Sequence, residues 1–122
     1  MPTIAIVGAS SNQEKFGNKC VRAYQQKGWK VVAIHPKESQ VEGLAVLQSL
    51  GQVKEKVDRV ALYVPPAAGV GVLDEVAKLA GAELIVNPGT ESPELLTKAR
   101  TLKLKFREAC AIRDIGVDPN TL

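Results

Sequence analysis

Thr3-Ile4-Ala5-Ile6-Val7-Gly8-Ala9-Ser10-Ser11-Asn12 is the stretch that decides the fold class. Five apolar or β-branched residues in succession read as a strand covered on both faces, because a strand with one wet face alternates with polar residues. The glycine that ends the run lets backbone approach a ligand, and the small Ala9 and Ser10 keep the turn open. Hydroxyls and main-chain N–H groups just ahead of a helix favour an anion. Gln13-Glu14-Lys15-Phe16-Gly17-Asn18 follows and adds a cation, Lys15, to the same turn.

Downstream, the pattern repeats. Lys30–Ile34, Arg59–Val64 and Glu83–Val86 are further aliphatic runs, and they alternate with segments of helical period. Cys20, Val21 and Tyr24 fall at i, i+1 and i+4; Val72, Leu73, Val76, Leu79 and Leu95, Leu96, Ala99, Leu102 extend the same offsets to i+7. Strands alternating with one-faced helices predict repeated βαβ units: an α/β domain with a single doubly wound, mostly parallel Rossmann-like sheet and helices on both faces. Gly28 and Gly81 stand where left-handed caps would end the first two helices, and Ser92-Pro93 supplies an N-cap and first-turn proline for the third. Leu44–Val46 reads as a short edge strand, Gln48–Lys56 as a short helix and Leu104–Ala109 as a last strand with one wet face. The tail from Arg113 reads as irregular.

The 122 residues suffice for one core, and the domain is expected to span residues 3–119. With 45% apolar and 24% charged residues the composition is that of a globular domain, and no apolar run approaches the ~20 residues of a membrane-crossing helix. Met1-Pro2-Thr3 leads directly into a strand with no signal-peptide pattern, so a cytoplasmic location is expected. A formal charge of +3 suits an anionic small ligand and makes nucleic acid an unlikely partner. Cys20 and Cys110 have neither CxxC spacing nor a nearby histidine, so no metal site is indicated. Monomer and edge-paired dimer are both open.

Doubly wound sheets bind ligands beyond the carboxyl ends of their strands, which directs attention to four loops. The first is Gly8–Ser11 with Lys15. It departs from the dinucleotide fingerprint G-x-G-x-x-G, with Ser10 and Gln13 in place of the second and third glycines. The second is His35-Pro36-Lys37, where a nicotinamide dinucleotide site calls for an acid to hold ribose hydroxyls. A cation there suits a ribose phosphate, the 3′-phosphate of coenzyme A or the 2′-phosphate of NADP, while the neighbouring Glu38 suits the hydroxyls. Val64-Pro65-Pro66 forms a rigid lip to a cleft. Asn87-Pro88-Gly89 either meets a ligand amide or makes the turn. His35 reads as a ligand contact rather than a base, and no catalytic residue stands out.

Taken in order, Gly8-Ala9-Ser10, Lys15-Phe16-Gly17-Asn18, His35-Pro36-Lys37, Val64-Pro65-Pro66 and Cys110 closely resemble the small stand-alone coenzyme A-binding proteins. Their domain is similar to the nucleotide-binding half of the succinyl-CoA synthetase α subunit. The resemblance implies coenzyme A lying across the strand ends, with its phosphates near Gly8–Ser11 and Lys15 and its adenosine near His35-Pro36-Lys37. The pantetheine arm would run past Pro65-Pro66 toward Asn87–Gly89. Family members often carry asparagine at the place of His35 and Asp-Arg-Cys at the place of Glu108-Ala109-Cys110. The synthetases also need a second domain with a phosphorylated histidine and a partner subunit, so the expectation is binding of coenzyme A or an acyl-CoA without catalysis. Two other classes stay open: an NADP-binding oxidoreductase-like domain, and an interaction module that keeps the fold without a ligand.

Overall fold

A computed structural model describes residues 1–122. Seven strands form one sheet: β1 (Thr3–Val7), β2 (Lys30–Ile34), β3 (Gln40–Val41), β4 (Leu44–Leu47), β5 (Arg59–Leu62), β6 (Glu83–Val86) and β7 (Phe106–Glu108). Their order is β3-β4-β2-β1-β5-β6-β7, and every pairing is parallel except β3 with β4. The expected doubly wound architecture is therefore present. The chain winds outward from β1 in one direction, then returns to start β5 on the other side. This puts the topological switch point between β1 and β5, at the tips of Val7 and Leu62.

Successive side chains of β1 point to opposite faces, and each face has its own core. Ile4 and Ile6 pack with Cys20, Val21 and Tyr24 of helix α1 (Phe16–Gln26) and with Ala111 and Ile112 of α4 (Ala111–Asp114). Ala5 and Val7 pack with Leu73 and Val76 of α2 (Pro66–Val76) and with Leu95 and Ala99 of α3 (Pro93–Thr101). Both β1 isoleucines are fully buried, which stabilises the fold by about 1.5–3 kcal/mol per side chain. No helix is long and apolar enough to cross a membrane.

Helix ends follow the chemistry of the chain. Gly28, at φ +79°, follows α1 in a Schellman motif: its N–H donates to the Gln25 carbonyl and the Trp29 N–H to the Tyr24 carbonyl. Ser92 caps α3, its hydroxyl accepting from the Leu95 N–H at 3.1 Å. Gly81 is not a helix cap, because α2 stops at Val76 and a further turn separates the two.

Other expectations need correction. Arg59–Val64 is a strand only to Leu62, since β1 turns away at Gly8 and the Tyr63 N–H makes the last bond, to the Val7 carbonyl at 2.8 Å. Gln48–Lys56 holds a single 3₁₀ turn, Leu50–Gln52, and no α-helix. The last strand is confined to Phe106–Glu108, and the tail from Arg113 is not wholly irregular, since it holds the end of α4 and a 3₁₀ turn at Pro119–Thr121. The β3–β4 hairpin turns on Glu42 (φ +48°) and Gly43 (φ +78°), a two-residue turn with both residues left-handed.

Candidate functional site

The loop after β1 meets the loop after β5 at the switch point. A Cβ on Gly8 would lie 2.3 Å from the Tyr63 carbonyl oxygen, and φ at Gly8 is +95°, so only glycine fits. Gly17 is equally constrained: a Cβ there would sit 2.3 Å from the Gly8 carbonyl oxygen. In dinucleotide-binding folds the third glycine of the fingerprint permits such close packing of helix on strand. Here that work falls to Gly17, with a longer loop before it, so the close packing is kept without the G-x-G-x-x-G spacing.

Within the loop, the donors divide into those already used and those still free. The N–H groups of Gly8 and Ala9 both donate to the Ile34 carbonyl, at 2.9 and 3.2 Å, so these two residues shape the turn and offer no N–H to a ligand. Asn12 N–H donates to Ser10 Oγ, Glu14 N–H to Asn12 Oδ1, and Lys15 N–H to the Asn12 carbonyl. The N–H groups of Ser10, Gln13, Phe16 and Gly17 have no acceptor in the protein. The last two open α1, an eleven-residue helix, where the helix dipole adds to their attraction for an anion. Lys15 is exposed and makes no salt bridge, and the same holds for Lys37.

Asn18 serves the loop from below. It is fully buried; its Nδ2 donates to the Ser10 carbonyl at 2.8 Å and to Glu42 at 3.0 Å, while its Oδ1 accepts from Arg22 Nε at 2.7 Å. It is a strut, with no polar atom left for a ligand. Glu42 also accepts from Gln13 Nε2, so a carboxylate from the β3–β4 turn ties the loop at Gln13 to the first turn of α1 at Asn18. Donation from Asn18 and then Gln13 holds the Glu42 carboxyl below the usual range. Nothing in the sequence spacing advertised this residue.

The second loop is turned back on itself. His35 Nδ1 accepts from the N–H groups of Lys37 and Glu38 at 3.0 and 3.1 Å, which leaves the ring proton on Nε2. His35 thus builds the turn that presents the exposed Pro36 and Lys37. Glu38 reaches across to the Ser11 N–H.

Beyond Phe16 lies a cleft of about 640 Å³. Phe16 is 54% exposed, a large apolar side chain left open at the cleft's mouth. Tyr63, Val64, Pro65 and Pro66 form one wall, and Asn87, Pro88, Gly89 and Thr90 another. Cys110 and Arg113 of the α4 region, with Pro119 and Asn120, close the third side. Of this wall the sequence pointed to Cys110 alone; Arg113, Pro119 and Asn120 lie in a tail that carries no periodic signal.

Asn87 lines the cleft, but its side chain is spent inside the protein: Nδ2 donates to the Leu62 carbonyl at 2.9 Å and Oδ1 accepts from the Ala111 N–H at 2.9 Å. It pins β5 to α4. Pro88 and Gly89, the latter at φ +90°, form the central pair of a type II turn closed by the Thr90 N–H on the Asn87 carbonyl at 3.0 Å. Burial pushes the Cys20 thiol up to about 12 and also raises the Tyr63 phenol, so neither ionises near neutrality. Tyr63 Oη is buried without a hydrogen-bond partner.

Residues 2–114 match the family described as CoA binding domain. A curated relative, the ADP-forming acetate–CoA ligase of Methanocaldococcus jannaschii, is 28% identical over 124 residues; the alignment takes in 98% of this chain but only 17% of that protein. A conserved hypothetical protein from Pyrococcus furiosus superposes with a TM-score of 0.85 at 28% identity, covering 93% of this chain and 99% of the other. The dinucleotide-forming acetyl-coenzyme A synthetase 1 of Ca. Korarchaeum cryptofilum, solved with phosphate and ADP, superposes at 0.75 with 27% identity, over 88% of this chain and 25% of the synthetase. The chain is thus similar in length to the first structure and to one region of the synthetases. With its switch-point turn, its cleft and a match over nearly its whole length, the chain belongs to the CoA binding domain family.

Proposed function

We propose that the protein binds coenzyme A, free or acylated, as a single domain over residues 3–119 in the cytoplasm. The observation that carries this reading is the set of open donors at the switch point: N–H groups of Ser10, Phe16 and Gly17 beside an unpaired Lys15, adjoining an apolar-lined cleft. A ligand with phosphates at one end and a long, weakly polar arm at the other fits both parts.

In this assignment the pyrophosphate sits on the turn Gly8-Ala9-Ser10-Ser11, held by the open N–H groups and Lys15. Gly8, Ala9 and Asn18 act by shaping the turn. The ribose phosphate meets Lys37, whose position His35 and Pro36 fix. The pantetheine arm passes Phe16 and the Val64-Pro65-Pro66 lip, and ends between Gly89, on the turn that Asn87 holds, and Cys110. The assigned role is binding: the cleft walls offer a phenol, a thiol and a guanidinium but no base paired with a nucleophile.

The test is thermal unfolding with coenzyme A, dephospho-coenzyme A, NADP and NAD at equal concentration, since a ligand of the native state stabilises it by RT ln(1 + [L]/Kd). A shift with coenzyme A, smaller with the dephospho form, supports the ligand and the Lys37 contact. A shift with NADP alone moves the assignment to a dinucleotide. No shift with any of the four removes it.

A further inference from the structure

We propose that the Glu38 carboxylate is a resident occupant of the anion turn after β1, and that a phosphate-bearing ligand binds by displacing it. The inference rests on the anion site assigned above and concerns its regulation.

The Ser11 main-chain N–H donates to the Glu38 carboxylate. The carboxylate comes from a different loop, 27 residues on in sequence, and lies one residue along the turn from the open N–H of Ser10. The titratable groups beside it are Lys15, whose charge favours the carboxylate, and His35, whose Nδ1 accepts from the Glu38 main chain. A carboxylate on a main-chain N–H of the turn, beside a lysine, occupies the kind of environment that a phosphate oxygen seeks.

A phosphate on the Ser10 N–H and Lys15 would bring a second anion against Glu38, and like charges at that separation repel. The Glu38 main chain is fixed by its N–H bond to His35 Nδ1, whereas its side chain lies at the surface and is free to swing into solvent. Ligand occupancy and release of the carboxylate are then one event. The apparent affinity is reduced by the strength of the contact that has to be broken.

The direction of the Glu38 titration agrees. Hydrogen bonds from Ser11, with lesser help from His35 and Lys15, hold the carboxyl below the ordinary range. The contact is therefore complete above the usual carboxyl pKa and is lost as pH falls through the lowered value.

The experiment compares wild type with Glu38→Gln, titrating each with coenzyme A and with inorganic pyrophosphate by calorimetry, and following the Ser11 amide resonance from low to neutral pH without ligand. Expected results are about fivefold tighter binding of both ligands to Glu38→Gln, and a carboxyl titration at the Ser11 amide that disappears in the variant. Equal or weaker binding of pyrophosphate to Glu38→Gln, or a wild-type Ser11 amide that does not titrate, overturns the proposal. If pyrophosphate binding follows the expectation while coenzyme A binds neither protein, the displaced carboxylate stands and the coenzyme A reading falls. If neither ligand binds either protein, the turn is no anion site and both fall.

Discussion

The two ends of the sheet are built on opposite terms. Where the strands finish, main-chain donors stand open, Lys15 and Lys37 lack ion pairs, and Phe16 is exposed. Where β5 and β6 begin, polar groups are matched. Arg59 bridges Glu83 at 3.0 Å and Asp114 at 2.9 Å, also donates to Tyr24 Oη at 3.1 Å, and lies over the Trp29 ring. Arg107 holds Glu83 and Asp114 from the other side, and Tyr24 Oη donates to the Ala111 carbonyl at 2.8 Å. One end is satisfied and holds α1, α4 and three strands together. The other leaves main-chain donors and two lysines without partners in the protein.

The comparison breaks if backbone at the open end proves replaceable. Gly8→Ala drives a Cβ to within 2.3 Å of the Tyr63 carbonyl oxygen, a main-chain atom that cannot step aside without moving β5. A loss of about 3 kcal/mol or more is expected in urea unfolding. Gly28→Ala has the same sign of φ but nothing within 4 Å, and is expected to cost only about 1 kcal/mol. Equal losses would mean that φ alone, not the meeting of the two loops, fixes Gly8.

At the paired end, Arg59→Met leaves two carboxylates with one arginine, and about 2 kcal/mol of stability should go. Coenzyme A affinity should not change; a change of tenfold would join the two ends energetically. The acid limb tests the same network. Hydrogen bonds from Arg107, outweighing partial burial, hold the Glu83 and Asp114 carboxyls below the usual range. Their contribution is present above a carboxyl pKa of about 4 and is lost as pH falls through the lowered native values. In Arg107→Met the fall of stability with acid should be shallower, measured as urea midpoints between about pH 2 and pH 5.

The open end is sharpened by charge removal. Lys37→Ala is expected to weaken coenzyme A binding about tenfold and to leave dephospho-coenzyme A unchanged, with no loss of stability, since only the Lys37 main-chain N–H, kept in the variant, bonds the rest of the protein. Lys15→Ala should weaken both ligands alike. A Lys37 effect shared by both ligands would place the ribose phosphate elsewhere.

These expectations separate what was legible in the sequence from what was not. The continuous aliphatic runs Thr3–Val7 and Glu83–Val86 marked the strands that the structure has, because burial on both faces leaves no room for polar residues. The turn residues were legible at Gly8, Pro65 and Gly89, where backbone conformation restricts the residue type. Partners distant in sequence were not: Glu42 on Asn18, Glu38 on Ser11 and Asn87 on Ala111 are side-chain contacts that only the folded sheet brings together. For the same reason the internal bonds that Asn18 and Asn87 make were not legible. Helix α4 was invisible because four residues are too few to show a period.

The smallest expected effect lies at the closed end and tests whether that end is as fully optimised as its ion pairs suggest. Helix α3 ends as α1 does, in a Schellman motif: the Leu104 N–H donates to the Ala99 carbonyl and the Lys103 N–H to that of Arg100, both at 3.0 Å. At α1 the left-handed residue is Gly28, whereas at α3 it is Lys103, at φ +57°. A residue with a Cβ in that conformation stores about 1 kcal/mol of strain, and glycine removes it while giving back part through a more flexible unfolded chain. Lys103→Gly should therefore stabilise the protein by about 0.5 kcal/mol, raising the urea midpoint without altering its slope or the affinity for coenzyme A. A loss of stability instead would mean that the exposed Lys103 side chain contributes more there than its hydrogen bonds show, and that the paired end depends on its charge as well as its geometry.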